Sequence, residues 1–212
     1  MLKIVLQGEE VLLLPQKAVF WIAEKTLIVS DLHWGKTAHF RKHGIAIPLQ
    51  TQHNDEVRLA KLVDEHKAER LIIAGDLFHS RENNEVDNFS HWRNAHKQLA
   101  IDLVLGNHDI LPEEKYSGNN VSVHNEILDT GPFIITHDEI ADPRKFYIHG
   151  HVHPAFAVSG KGRSKIKLPC YGVNEQKMVL PSFGSFTGTH KISTSDYEHI
   201  YVIAEDEVIQ WL

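Results

Sequence analysis

Three histidines in the stretch His149-Gly150-His151-Val152-His153-Pro154 follow directly behind the apolar run Phe146-Tyr147-Ile148. In an extended segment, residues i and i+2 point the same way and lie about 6.6 Å apart along the backbone. His151 and His153 could therefore each serve one of two neighbouring metal ions, which lie about 3.5–4 Å apart in two-metal sites. Alone, the stretch differs little from a histidine-rich turn.

Four earlier apolar runs end in the same way, in polar residues that can bind metal. The runs are residues 26–30, 71–74, 101–105 and 133–136, and we predict a strand at each. Ligand sites in α/β sheets collect beyond the carboxyl ends of strands. One aspartate or histidine after a strand is usually a turn residue or a cap. Five successive strand ends with such residues predict one shared site. Its predicted members are Asp31, His33, Asp76, Asn107, His108, His137, His151 and His153.

The remaining pattern predicts an α/β fold. Helices are predicted at residues 49–66 and 84–99, and a loop at 112–120. Further short strands are predicted at residues 3–6, 11–14, 18–22, 146–148, 155–158, 166–168, 178–180, 200–204 and 208–211. No internal repeat or linker interrupts the pattern, so we expect a single domain over residues 1–212.

Composition narrows the function classes. A formal net charge of −6 over 212 residues argues against a protein that coats nucleic acid with a basic surface, but not against an enzyme that holds phosphate through metal ions. Cys170 is the only cysteine, which fits a reducing compartment. No apolar run approaches the ~20 residues that span a bilayer, and acidic residues follow the N-terminus too soon for a secretory signal. We therefore expect a cytoplasmic protein with no membrane contact.

The ordered blocks resemble a known family. They are Asp31/His33, Gly75/Asp76, residues 106–109, His137 and Gly150/His151/His153, and they match the pattern D-x-H … G-D … G-N-H-[DE] … H … G-H-x-H of calcineurin-like metallophosphoesterases. The resemblance implies a four-layer α/β/β/α sandwich of two mixed sheets flanked by helices. Residues 31–45 and 75–80 are similar to the bacterial ligase-associated DNA-damage-response endonucleases (PdeM-like), with Trp34 where leucine is expected.

The resemblance also implies roles for the site residues. Asp31, His33 and His153 would hold one divalent ion. Asn107, His137 and His151 would hold the other, with Asp76 bridging both. Nitrogen and oxygen ligands without thiolate suit Mn²⁺, our first expectation, and also Fe²⁺ or Zn²⁺. His108 would protonate the leaving oxygen, with Asp109 orienting its ring; alternatively His108 only supports a ligand.

Three functions remain open. The first is a two-metal phosphodiesterase that cleaves DNA or RNA in repair, associated by resemblance with a DNA ligase and a helicase. The second is a phosphatase or phosphodiesterase of a small nucleotide or other metabolite, and the third is a non-catalytic scaffold. A basic patch formed by Lys36, His39, Arg41, Lys42 and His43 is either a phosphate-backbone contact or a solvated face. Lys161, Arg163, Lys165 and Lys167 are typical of a solvated edge strand, with an extended nucleic-acid contact as the alternative. We expect His149 to be a packing residue and Asp138 to be an outer partner of the ligands.

Overall fold

Two mixed β-sheets pack face to face in the computed structural model, which describes residues 1–36, 50–79, 83–141, 143–159 and 165–212. The first sheet has seven strands in chain order, the first four antiparallel and β4 to β7 parallel. They are β1 (Leu2–Leu6), β2 (Glu9–Leu14), β3 (Ala18–Trp21), β4 (Thr26–Val29), β5 (Arg70–Ala74), β6 (Ala100–Val104) and β7 (Val121–His124).

The second sheet has nine strands among the described residues. Seven follow the order β14-β11-β12-β13-β10-β9-β8, and β15 and β16 extend from β12. They are β8 (Ile127–Asp129), β9 (Ile134–Thr136), β10 (Tyr147–His149), β11 (Pro154–Ser159), β12 (Lys165–Val173), β13 (Lys177–Val179), β14 (His190–Lys191), β15 (His199–Ala204) and β16 (Glu207–Gln210). β9, β10 and β13 run parallel to one another.

Alternation along the central strands divides the core in two. Ile28, Ile72 and Val104 face the second sheet, whereas Leu27, Leu71 and Leu103 face the helices. A strand buried on both faces reads as a continuous apolar run. The described helices, α1 (Gln50–His66), α2 (Asn83–Ala95) and α3 (Glu113–Ser117), bury Leu59, Leu62, Phe89, Trp92 and Tyr116 in the same cluster. The α/β class with two mixed sheets is confirmed.

Several predicted boundaries were wrong. The predicted loop at residues 112–120 contains α3, because the fully buried Tyr116 anchors one helical turn against the core. The second helix ends at Ala95 instead of residue 99, since Leu99 is buried just ahead of β6. Strands β7, β8 and β14 were not predicted. The predicted start of the first helix at residue 49 lies outside the described residues.

Candidate metal centre

The carboxyl ends of five parallel strands bring the predicted ligands together. β4, β5 and β6 lie side by side and run in one direction, so Asp31, Asp76 and Asn107 leave the first sheet at the same edge. β9 and β10 do the same in the second sheet, and His137 and His151 follow them. All seven predicted ligands therefore belong to one contiguous cluster.

The first group comprises Asp31, His33 and His153. One potential ligand atom from each residue lies within 4.8 Å of those of the other two. The shortest approach is 3.1 Å, between Asp31 Oδ1 and His153 Nε2. The aspartate and His33 are buried. These residues could hold one metal ion.

The second group forms around His137. Its Nε2 atom lies 3.1 Å from Asn107 Oδ1 and 3.1 Å from His151 Nδ1. Asp138 also belongs to this group, with one carboxylate oxygen 3.7 Å from His151 Nδ1. The exposed Asp138 is thus close enough to bind an ion. The sequence had favoured a role for it as an outer partner of the ligands over a role as a ligand.

Asp76 lies between the two groups. Its Oδ2 atom is 3.7 Å from His33 Nε2, and its Oδ1 atom is 3.6 Å from His137 Nε2. Each carboxylate oxygen thus faces a different group, which is the geometry a bridging ligand requires. Two dications this close repel each other, and an anion shared between them reduces that repulsion.

Hydrogen bonds at Nδ1 of His137 and of His153 determine which ring nitrogen presents a lone pair. His137 Nδ1 lies 3.0 Å from the carbonyl oxygen of Ala74, and His153 Nδ1 lies 3.2 Å from that of Gly188. A carbonyl only accepts, so each Nδ1 carries a proton and Nε2 of the neutral ring presents a lone pair. His153 Nε2 then faces Asp31 Oδ1, another acceptor, 3.1 Å away.

Two acceptors in contact need a cation between them. Asp31 Oδ1 is buried without a hydrogen bond of favourable geometry, and so is His33 Nδ1. A second proton on His153 would serve Asp31 alone, whereas a metal ion would serve Asp31, His33 and His153 together. The donor set therefore fits a divalent metal ion.

Burial shapes the charges of the cluster. Burial, and to a lesser extent the nearby Lys36, lower the pKa of His33 to about 3, which leaves its ring neutral and able to bind metal. Burial raises the pKa of Asp76, and the neighbouring Asp31 carboxylate adds to that shift. Burial alone would also raise the pKa of Asp31; a doubly protonated His153 ring, the alternative to a metal ion at this position, hydrogen-bonds the carboxylate and holds its pKa below the usual value. A cation would favour both ionised carboxylates.

Five of the seven predicted ligands have a left-handed backbone. Positive φ angles occur at Asp31 (52°), His33 (46°), Asp76 (55°), His151 (65°) and His153 (50°). Such angles are uncommon outside glycine, although aspartate, asparagine and histidine tolerate them best. Strained conformations of this kind cluster at functional sites, where the surrounding structure maintains them.

Two glycines allow the close approach of these segments. Gly75 has a φ of 84°, and a Cβ there would collide with the His137 ring. A Cβ at Gly106 would collide with the Asp76 carboxylate. A side chain at either position would displace a predicted ligand.

His108 and Asp109 flank the cluster differently. The His108 ring centroid lies 5.2 Å from that of His33, and its backbone N–H donates to Asp76 Oδ1 at 2.9 Å. Asp109 is buried and accepts from the N–H groups of Gly106 and Phe78. These bonds hold the loop that carries Asn107. The predicted roles of His108 as an acid and of Asp109 as its orienting partner stay predictions.

The segment of residues 182–190 is a component that the sequence did not indicate. Ser182 Oγ and Gly184 N–H both donate to the carbonyl oxygen of Asp31, and Phe183 N–H donates to that of Ser30. The carbonyl oxygen of Gly188 orients His153. Most of these hydrogen bonds use main-chain atoms, so the residue types in this segment do not indicate them.

Other sequence predictions had mixed outcomes. The prediction that His149 packs in the interior is confirmed: the ring is buried and burial lowers its pKa to about 4. Trp34 is also a core residue, in edge-to-face contact with Phe89 and Trp92. Of the basic patch, only Lys36 lies within the described residues, and Lys161 and Arg163 lie outside them.

Fold and site together define a metal-dependent phosphoesterase. The sequence profile of the family described as calcineurin-like phosphoesterase matches residues 24–177, and the chain belongs to this family. All seven predicted ligands are residues that can bind metal, which favours an enzyme over the alternative of a non-catalytic scaffold. No helix in the described part of the chain is long and apolar enough to cross a membrane.

Two solved structures are similar to this chain. The crystal structure of the nuclease MPE from Pseudomonas putida has a TM-score of 0.84 and 31% sequence identity, covering 98% of this chain and 99% of the other. The phosphoesterase Yfce from E. coli has a TM-score of 0.47 and 14% identity, covering 87% and 97%. A sequence search of curated proteins found no match.

Proposed function

We propose that this chain is a two-metal nuclease that hydrolyses phosphodiester bonds in DNA or RNA. The observation that carries the proposal is the similarity to the Pseudomonas putida nuclease, which extends over 98% of the chain at 31% identity. The gathering of nitrogen and oxygen donors on both sides of Asp76 supports the two-metal part.

The proposed ligand sets follow the two groups. Asp31, His33 and His153 hold one ion, and Asn107, His137 and His151 hold the other, with Asp76 shared. Mn²⁺ is the proposed metal, with Fe²⁺ or Zn²⁺ as alternatives, because the donors are imidazole, carboxylate and amide groups without thiolate. Bound ions would supply Lewis-acid activation of water and of the phosphate.

The chain's own residues complete the proposed mechanism. The half-buried His108 ring, beside His33, donates a proton to the leaving oxygen. Lys36 is half-buried and interacts electrostatically with Asp76 and Asp31, so its ammonium group is placed to contact a bound phosphate. Asp109 holds the loop between β6 and α3 in the position that Asn107 requires.

Metal analysis and a substrate panel on one preparation test the proposal. We expect two transition-metal ions per chain and Mn²⁺-stimulated cleavage of bis(p-nitrophenyl) phosphate and of single-stranded DNA or RNA. Hydrolysis of p-nitrophenyl phosphate with no action on nucleic acid would instead support a phosphatase of small metabolites. His108→Ala is expected to keep its metal but lose turnover, most for poor leaving groups.

The proposal includes a cytosolic role in DNA repair. It rests on the subfamily resemblance and on the single, buried cysteine. Co-purification with a DNA ligase or a helicase would support it, and cleavage restricted to RNA would contradict it.

A further inference from the structure

An open groove of about 500 Å³ adjoins the second ligand group. His137 and Asp138 both line it, so it opens directly beside the atoms proposed to hold metal. Its volume is within the range of about 300–1,000 Å³ typical of small-ligand pockets. A group attached to a phosphate at the metal centre can therefore reach the groove.

Aliphatic side chains form part of the walls of the groove. Leu105, Ile127, Ile134 and Ile140 all contribute to its lining. Pairing of β8 with β9 sets Ile127 opposite Thr136, which places both on the same face of the sheet. Ile127 is 49% exposed, so its aliphatic side chain is accessible to a ligand in the groove.

The charge of the groove disfavours a second phosphate. Among the described residues, three carboxylates line it, Glu126, Asp138 and Glu139, and Arg144 is the one cation in the lining; Glu139 also pairs with Lys177 beside the groove. A phosphate in this groove would meet a net negative rim, whereas an uncharged planar group would meet aliphatic walls. Enzymes that do chemistry on a nucleobase hold the extruded base between aromatic or apolar side chains and read its polar edge, which shows that such walls can hold a base. Asn125 and Thr136 line the same groove and offer polar atoms for that edge.

We propose that the groove binds the nucleobase next to the phosphodiester bond being cleaved. This inference rests on the proposed nuclease function and identifies where that function obtains its preference for nucleotides over other phosphodiesters. The base would lie against Ile127 and Ile140 while its phosphate occupies the metal centre.

Matched chromogenic diesters test the groove. The p-nitrophenyl esters of thymidine 5′-phosphate and thymidine 3′-phosphate carry a base, whereas ethyl p-nitrophenyl phosphate does not. We expect Ile127→Ser to lower kcat/KM about tenfold for whichever nucleotide ester is the better substrate, and to leave the ethyl ester unchanged. Ile209→Ser is the matched control, because Ile209 is 46% exposed on β16 and lies outside the groove.

The possible outcomes separate the two proposals. If Ile127→Ser lowers kcat/KM equally for the nucleotide and ethyl esters, or for neither, the groove does not bind a base. If wild-type protein with Mn²⁺ hydrolyses the ethyl ester with the same kcat/KM as both nucleotide esters, the groove proposal is also wrong. The proposed phosphodiesterase activity would still be supported. If it hydrolyses no diester, the proposed function itself is wrong.

Discussion

Arg58 of α1 donates a hydrogen bond to the carbonyl oxygen of Phe183, 125 residues away in the chain. Its guanidinium also lies over the Phe183 ring, 4.2 Å from the ring centroid. Asp55, 3.0 Å from Arg58, accepts a hydrogen bond from the Ser185 N–H at 2.9 Å. The helix thus fixes the segment whose main chain holds Asp31 and His153.

We call the contacts of Arg58 and Asp55 with residues 183–185 the clamp. Loosening this clamp should weaken metal binding by the group of Asp31, His33 and His153. Partners of metal ligands typically contribute about 10–100-fold to affinity, so we expect Arg58→Met to raise the Kd for Mn²⁺ about tenfold. Arg58→Lys should recover part of the loss, because it keeps the charge but not the planar donor group. Isothermal titration measures both values. Lys61→Met on the same helix is the control, since Lys61 is exposed and outside the clamp; an equal loss in that variant would contradict the mechanism.

The position of Asp76 predicts a difference in metal stoichiometry. Because its two oxygens face different groups, Asp76→Ala should reduce occupancy of both ions, whereas His153→Ala should reduce only that of the first group. Native mass spectrometry in Mn²⁺ counts the ions. The exposed Asp206 supplies the control variant Asp206→Asn. One ion retained in Asp76→Ala and none in His153→Ala would reverse the assignment.

The contacts of Gly75 predict that a side chain at this position lowers the free energy of unfolding by more than backbone strain alone would. Gly75→Ala adds both a strained φ and a collision with His137, and we expect a loss of about 2 kcal/mol or more in the free energy of unfolding. Gly131 has a φ of 96° but no neighbour within 4 Å of a built Cβ, so Gly131→Ala should show only the smaller strain cost. Urea unfolding measures both. Equal losses would mean that the collision is relieved without cost.

Removing metal should lower thermal stability. An ion that binds only the folded state at one hundred times its Kd adds about 2.7 kcal/mol. We therefore expect EDTA to lower the Tm of the metal-loaded protein, and added Mn²⁺ to restore it. The same treatment should leave the Tm of Asp76→Ala nearly unchanged. A scanning calorimetry experiment in which EDTA has no effect on wild-type protein would argue against stably bound ions.

Cys170 should be unreactive in the folded protein. Burial raises the pKa of its thiol to about 12, and the thiolate is the reactive form. We expect no labelling by a thiol-specific disulfide reagent at pH 8 until urea unfolds the chain. Rapid labelling under native conditions would show that the core around β12 opens.

The sequence was most informative where chemistry and secondary structure coincide. The polar residues behind the runs that became β4, β5, β6, β9 and β10 identified the site, because parallel strands must end at one edge. Short elements were less predictable. β8 spans only three residues, and α3 depends on burial of Tyr116, a tertiary contact with no local signature. Arg58 was also missed, since a charged residue on a helix usually indicates a solvated face.

The left-handed backbone at the ligand positions restricts which amino acids can occupy them. β-Branched side chains are excluded there on steric grounds, while histidine and aspartate are accommodated. Each of the five predicted ligands with a positive φ is a histidine or an aspartate. The backbone conformation thus limits which residue types can replace these five. A substitution meant to change the metal preference must therefore also tolerate a positive φ.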